Sequence, residues 1–282
     1  MGTANVKAIR GRIKSVDSTR HITKAMELVA SSKIKKATAR MDHGREYREL
    51  MLDAFASLAM EETAYSVKRD ESLPVLYIVI AGDRGLAGGY NNNIFRLSQT
   101  MIRENDQVFP IGKRSVDYFV HHGYKVCSDS YVSVEHFNAG LASEIAAAVK
   151  KEYDSGSISG IRVISTGFES MLSQHPVVTP VLPLSELMEK RSKEDGADKF
   201  MYEYEPSAEL ILSAIISDYI SGVVVSLVSE SYASEVAARR AAMDTATRNA
   251  EEMLENLNIS YNRARQGAIT QEITEIVAGA NA

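Results

Sequence analysis

Four glycines within eight residues make Gly82-Asp83-Arg84-Gly85-Leu86-Ala87-Gly88-Gly89 the sharpest chemical motif in this 282-residue chain. A glycine-rich turn from strand to helix can cradle phosphate on its backbone N–H groups. The order G-x-x-G-x-x-G-G is neither the dinucleotide fingerprint nor a P-loop, and no Lys-Ser or Lys-Thr pair follows it. The plainer reading gives the glycines to a tight turn and points Arg84 at solvent or a partner. His121 and His122 are adjacent, so on a helix they diverge by about 100° and do not chelate one ion together. No His, Cys and carboxylate set has metal-ligand spacing, and no nucleophile elbow stands out. The lone cysteine, Cys127, excludes an internal disulfide and reads as a small buried apolar residue of a reducing compartment. Carboxylates are plentiful in the flanks, where solvated helix faces account for them. The expectation is no catalytic residue, no cofactor and no metal.

A loop of this kind needs a strand before it and a helix after it. Residues 73–81 (LPVLYIVIA) are a continuous apolar run rich in β-branched side chains, the mark of a buried parallel strand. Helical patterning follows at 93–104, 115–122 and 141–153, alternating with strands at 108–111, 124–127 and 161–166. Residues 177–184 suit an antiparallel partner for the last of these. This alternation predicts an open, Rossmann-like α/β sheet of about five strands. Residues 190–199 are charged, contain Gly196 and read as an exposed linker.

Outside this region the chain changes character. The first proline is Pro74 and the last Pro206, so both flanks lack the residue that costs about 3 kcal/mol inside a helix. Ser207 suits an N-cap and Glu209 the first turn of a helix starting at 208. Val236, Met243, Ala250, Leu257 and Ala264 then recur every seventh residue, with Leu254, Tyr261 and Ala268 four positions after their partners. That is the seam of a coiled coil, with Arg240 and Thr247 on the same row. The N-terminal flank carries Val6, Ile9, Ile13 and Val16, then Ile22, Met26 and Val29 after a break in phase. Residues 1–48 hold twelve basic against four acidic side chains, and residues 208–282 five against ten. Opposite signs favour two antiparallel helices from the two ends of the chain. A single helix over 208–277 would be about 105 Å long, whereas a compact globule of this size is roughly 50 Å across, so the helix is expected to project.

The resulting divisions are 1–72 for an N-terminal coiled-coil helix, 73–190 for the α/β domain, 191–207 for a linker and foot, and 208–282 for the C-terminal helix. The composition, 45% hydrophobic and 24% charged, supports a genuine core. Every apolar stretch is broken by charge before it reaches bilayer length, and the chain opens without the pattern of a secretory signal.

Four blocks then acquire a meaning together. Residues 21–33 (HITKAMELVASSK) resemble the N-terminal signature of the gamma subunits of F-type ATP synthases, and residues 261–277 (YNRARQGAITQEITEIV) their C-terminal signature. Asp83-Arg84-Gly85-Leu86 with Gly88-Gly89 is similar to the family's central loop. Ala233-Ser234-Glu235, Ala237-Ala238-Arg239 and Ala242-Met243 resemble a fourth block. The resemblance implies a non-catalytic central rotor shaft that couples a proton- or sodium-driven c ring to the catalytic sites. It implies alpha and beta subunits around the coiled coil, and an epsilon subunit and the c ring below. Membrane contact is then only through the complex, on the cytoplasmic side of a bacterial plasma membrane. By the same resemblance Arg239, Arg265, Gln266 and Thr270 meet the beta subunits, and Lys24 and Met26, with Arg84, face an acidic lever loop of beta. Tyr202, Tyr204 and Glu205 match the foot on the c ring. Ala87 stands where many members carry cysteine, and Arg240 replaces a commonly apolar seam residue. The alternative reading is a nucleotide-binding enzyme with a basic coiled-coil arm for RNA. The arm lacks interleaved aromatics and its partner segment is acidic, so no nucleic acid is expected.

Overall fold

The computed structural model describes residues 2–58, 63–130, 132–186, 204–205 and 207–280. The elements run α1 (Gly2–Leu58), β1 (Val75–Ile80), α2 (Tyr90–Met101), β2 (Gln107–Ile111), α3 (Lys113–His121), β3 (Lys125–Val126), α4 (Ala139–Asp154), β4 (Gly160–Phe168), β5 (Gln174–Leu182) and α5 (Ala208–Ala280). By contacts the chain falls into two units, residues 32–238 and residues 1–31 with 239–282.

In the first unit the sheet order is β3-β2-β1-β4-β5. β1 pairs in parallel with β2 and β4, β2 with β3, and β5 closes the edge antiparallel to β4. The two-residue side-chain period of a strand sorts β1 cleanly. Leu76, Ile78 and Ile80 enter a core with α4 and the sheet-packed stretches of α1 and α5, while Tyr77, Val79 and Ala81 face α2 and α3. This layering explains the unbroken apolar run at 73–81: a central strand covered on both faces has no polar side. Leu212, Ile216, Tyr219, Ile220, Val223, Val224 and Leu227 of α5 are all buried in the same core. Each large aliphatic side chain so buried stabilises the fold by about 1.5–3 kcal/mol. An 18-residue window of α5 is, by length and hydropathy alone, apolar enough to span a bilayer, contrary to the expectation that charge breaks every such run. Its residues are 61% buried inside the protein, because this stretch is core. α1 and α5 approach closely here: a Cβ on Gly222 would lie 2.5 Å from the Tyr47 ring.

The N-cap of α5 forms as expected, with the Ser207 hydroxyl accepting from the Leu210 N–H at 3.3 Å. Glu209, in the first turn, also accepts from the Ala64 N–H at 3.0 Å.

In the second unit α1 and α5 run antiparallel. The hydroxyls of Thr23 and Thr247, both buried, meet at 2.9 Å, and Arg20 lies 3.9 Å from Glu251. On α5 the seam is Met243, Thr247 and Ala250, buried, then Leu254, Leu257, Tyr261, Ala264 and Ala268, half-buried. Arg240, on the same row by spacing, is exposed. On α1 the expected phase break is absent. Val6, Ile9, Ile13, Val16 and Arg20 are half-buried and Thr23 and Ala30 buried, all on one continuous row, while Ile22, Leu28 and Val29 are more than half exposed. Following the largest apolar side chains leads off the seam, because small residues hold it: Thr23 and Ala30 let the helices approach. Ala268 is the last half-buried position of α5. Beyond it, the described side chains of residues 269–279 are exposed.

Candidate functional site

The glycine loop is closed by protein groups. Asn91, in the first turn of α2, accepts from the Gly82 N–H at 2.8 Å and donates to the Arg84 carbonyl at 3.2 Å, bracing the start of the loop. Gly112, after β2, has φ of +90°, and a Cβ there would lie 2.0 Å from the Ala81 carbonyl, so only glycine lets the two strand ends converge. The Asp83 carboxylate turns inward. It accepts from the Ser133 hydroxyl at 2.8 Å and from the N–H groups of Val134 (3.1 Å), Glu135 (3.3 Å) and Lys113 (3.4 Å). Arg84 and Leu86 remain exposed at the tip, Leu86 with φ of +61°.

The segment that Asp83 holds is fastened to α1 in turn. Glu135 pairs with Lys33, and Arg40 donates to the Phe137 carbonyl at 2.6 Å. The Lys33 hydrogen bond, opposed by desolvation and helped by the charges of Lys33, His136 and Arg84, holds the Glu135 carboxyl below the usual carboxylate range. Farther along α1 a second cluster forms. Glu230, 7% exposed, accepts from Arg45 at 2.6 Å, Arg48 at 3.3 Å and the Phe168 N–H at 3.1 Å. Burial pushes this carboxyl up, but the two arginines and the backbone donor outweigh it and hold it below its ordinary value. The expectation that flank carboxylates are solvated therefore fails at Glu230, and at Glu235, which is 3% exposed. A buried charge persists at Glu230 because cations from the facing helix complete it.

Two clefts open on the sheet unit. One, of about 320 Å³, lies against Arg48, Tyr219, Leu227 and Glu230. The other, of about 360 Å³, is lined by Phe109, Cys127, Leu141 and Glu152. Cys127 is exposed rather than buried as expected, because β3 is a two-residue edge strand. Its sulfur is nonetheless partly buried: the thiol donates to Gln107 at 3.3 Å, and desolvation, with the Glu152 charge, pushes it up to about 11, so it stays protonated at neutral pH. Among the described residues no three metal-binding side chains group together. The polar clusters join one element to another and present no activated nucleophile.

The residues expected to meet partners are distributed between the units. Lys24 is exposed and pairs with Glu27 at 3.0 Å, and Met26 is half-buried beside it. Arg265, Gln266 and Thr270 are exposed on one stretch of α5, and Arg239 is half-buried. Those six belong to the coiled-coil unit, whereas Arg84 belongs to the sheet unit. Tyr204 packs against the sheet core and Glu205 is exposed, while Tyr202 lies outside the described residues. Sequence reasoning missed Asp83, Glu135, Lys33 and Arg40 as a connected set. Nothing local links positions 50 to 100 residues apart; the signal was only that Asp83 sits inside the motif.

Comparison with known proteins adds a further finding. A family model described as ATP synthase matches residues 5–282. The chain is 40% identical to the ATP synthase gamma chain of Ruminococcus albus, over 97% of this chain and 96% of that one. It is 38% identical to the sodium ion specific ATP synthase gamma chain of Acetobacterium woodii, over 99% and 98% of the two chains. In fold it is similar to a chain of the Euglena gracilis mitochondrial ATP synthase, with a TM-score of 0.72 at 18% identity, covering 99% of this chain and 94% of that one.

Proposed function

The chain belongs to the ATP synthase gamma family, and from that premise we propose that it is the central shaft of a bacterial ATP synthase, turning inside a ring of alpha and beta subunits. The observation that carries this reading is the apolar surface of the coiled-coil unit. Ile22, Leu28 and Val29 on α1 and Ile269, Ile273, Ile276 and Val277 on α5 are 47–71% exposed. Exposed apolar side chains at both places along the paired helices suit an interaction surface, and a ring of subunits around a rod would cover them. Arg239, Arg265, Gln266 and Thr270 supply directional contacts to the beta subunits. Lys24 and Met26, with Arg84, would face an acidic loop of beta, and the basic N-terminal flank gives that encounter its sign.

The shaft itself performs no chemistry. One asymmetric rod cannot touch three equivalent beta subunits alike, so each angle favours a different conformation at each catalytic site. Contacts shift those populations only by their differential free energy, about 1.4 kcal/mol for each factor of ten. Rotation of a c ring, bound with an epsilon subunit through a foot that includes Tyr202, Tyr204 and Glu205, would drive the cycle at the cytoplasmic face of the plasma membrane. The test is reconstitution with the alpha and beta ring. Replacing Arg265 and Gln266 together by Ala is expected to lower coupled ATP turnover about tenfold while the ring still assembles; unchanged turnover would remove both residues from the mechanism.

A further inference from the structure

We infer that Asp83 is a positioning residue that ties the exposed Arg84 loop to helix α1, through a strap formed by residues 132–137. This inference rests on the shaft reading, because it assigns the strap a task within that function. At one end of the strap, Asp83 takes the Ser133 hydroxyl and the N–H groups of Val134 and Glu135, a capture of three successive residues by one carboxylate. At the other end, Glu135 pairs with Lys33 and the Phe137 carbonyl accepts from Arg40, both from α1. The side chains of Val134 and Phe137, both in the strap, are buried in the sheet core, at 0% and 3% exposure.

The arrangement has a mechanical consequence. The loop carrying Arg84 follows β1; besides the strap it is braced by Asn91 across the turn and, at its base, by the Arg114 N–H on the Gly82 carbonyl, contacts that reach α2 and α3 but not α1. Hydrogen bonds to a charged acceptor are stronger than neutral ones, and here they join the loop to the helix that forms half of the shaft. A lateral push on Arg84 from a partner is then passed to α1 through short, packed connections rather than absorbed by bending of the loop.

The test uses the whole complex in membrane vesicles, with ions pumped per ATP hydrolysed, subunit stoichiometry and amide exchange of the shaft as readouts. Asp83→Asn is expected to speed exchange at the Val134 and Glu135 amides about tenfold and to lower ions pumped per ATP about twofold or more, with full gamma content. Glu135→Gln is expected to lower the same ratio while those two amides stay protected. Lys33→Gln should match it, and the double variant should add nothing, because both act through one ion pair. Faster exchange in Asp83→Asn with an unchanged pumping ratio would overturn the inference, leaving these bonds a local structural role. A native chain that fails to join the alpha and beta ring would overturn the shaft reading instead.

Discussion

Two stretches of α5 use similar residues for opposite ends. From Leu212 to Ala237 nearly every position that meets the sheet or α1 is buried, including Tyr219, Ile220, Val224 and Val228 at 0% exposure. From residue 251 onward, among the described side chains, only the narrow seam of Leu254, Leu257, Tyr261, Ala264 and Ala268 is even half-buried, and Met253, Ile259, Ile269, Ile273 and Ile276 are exposed. Apolar content is therefore buried in the first stretch and left at the surface in the second, where the proposed function assigns it to contact. The lesson is that hydrophobicity along one helix reports on partners as much as on core, and burial decides which.

The comparison can be broken most readily in the first stretch. Tyr219→Ala removes a fully buried ring that lies 4.9 Å from Phe55. It is expected to destabilise the isolated chain by about 4 kcal/mol in chemical denaturation. A loss below about 1 kcal/mol would mean that this stretch is not core.

Glu230→Gln should cost about 2 kcal/mol at pH 7, since it weakens bonds from Arg45, Arg48 and Phe168 to a charged acceptor. The folded carboxyl titrates below its unfolded value. Its contribution is therefore complete above the unfolded carboxylate range, about pH 4.3, and is lost as pH falls through the lower folded value. Denaturation midpoints of native and variant chains should converge in acid; a gap that persists at low pH would contradict this assignment.

In the second stretch, Ile273→Ser with Ile276→Ser should leave the isolated chain within about 0.5 kcal/mol of native stability, because both side chains are more than half exposed. The same pair of changes should slow ATP turnover in the assembled complex. Equal losses in both assays would erase the contrast between the stretches.

Much of this was legible in the residues. The apolar run at 73–81 gave the central strand, and the alternation after it gave the order of helices and strands, because a strand buried on both faces and an amphipathic helix leave different periods. The α5 seam from Met243 to Ala268 was readable from its sevenfold repeat, except at Arg240. On α1 the repeat misled, since Thr23 and Ala30 hold the seam while Ile22 and Val29 look more like core. Small residues at a close helix contact carry little hydrophobic signal. Cys127 and Glu230 failed for a related reason: exposure depends on which element lies opposite, and a short edge strand or a facing arginine is not written next to the residue it affects.

Composition and local period, acting over a few residues, determined by themselves the strands, the helices and the absence of prolines that lets the terminal helices run long. The pairing of Thr23 with Thr247, the capture of residues 133–135 by Asp83 and the burial of Glu230 between Arg45 and Arg48 were decided only in three dimensions. Each joins positions 50 or more residues apart, and a hydrogen bond over about 3 Å has no signature in the order of the chain until folding brings its two ends together.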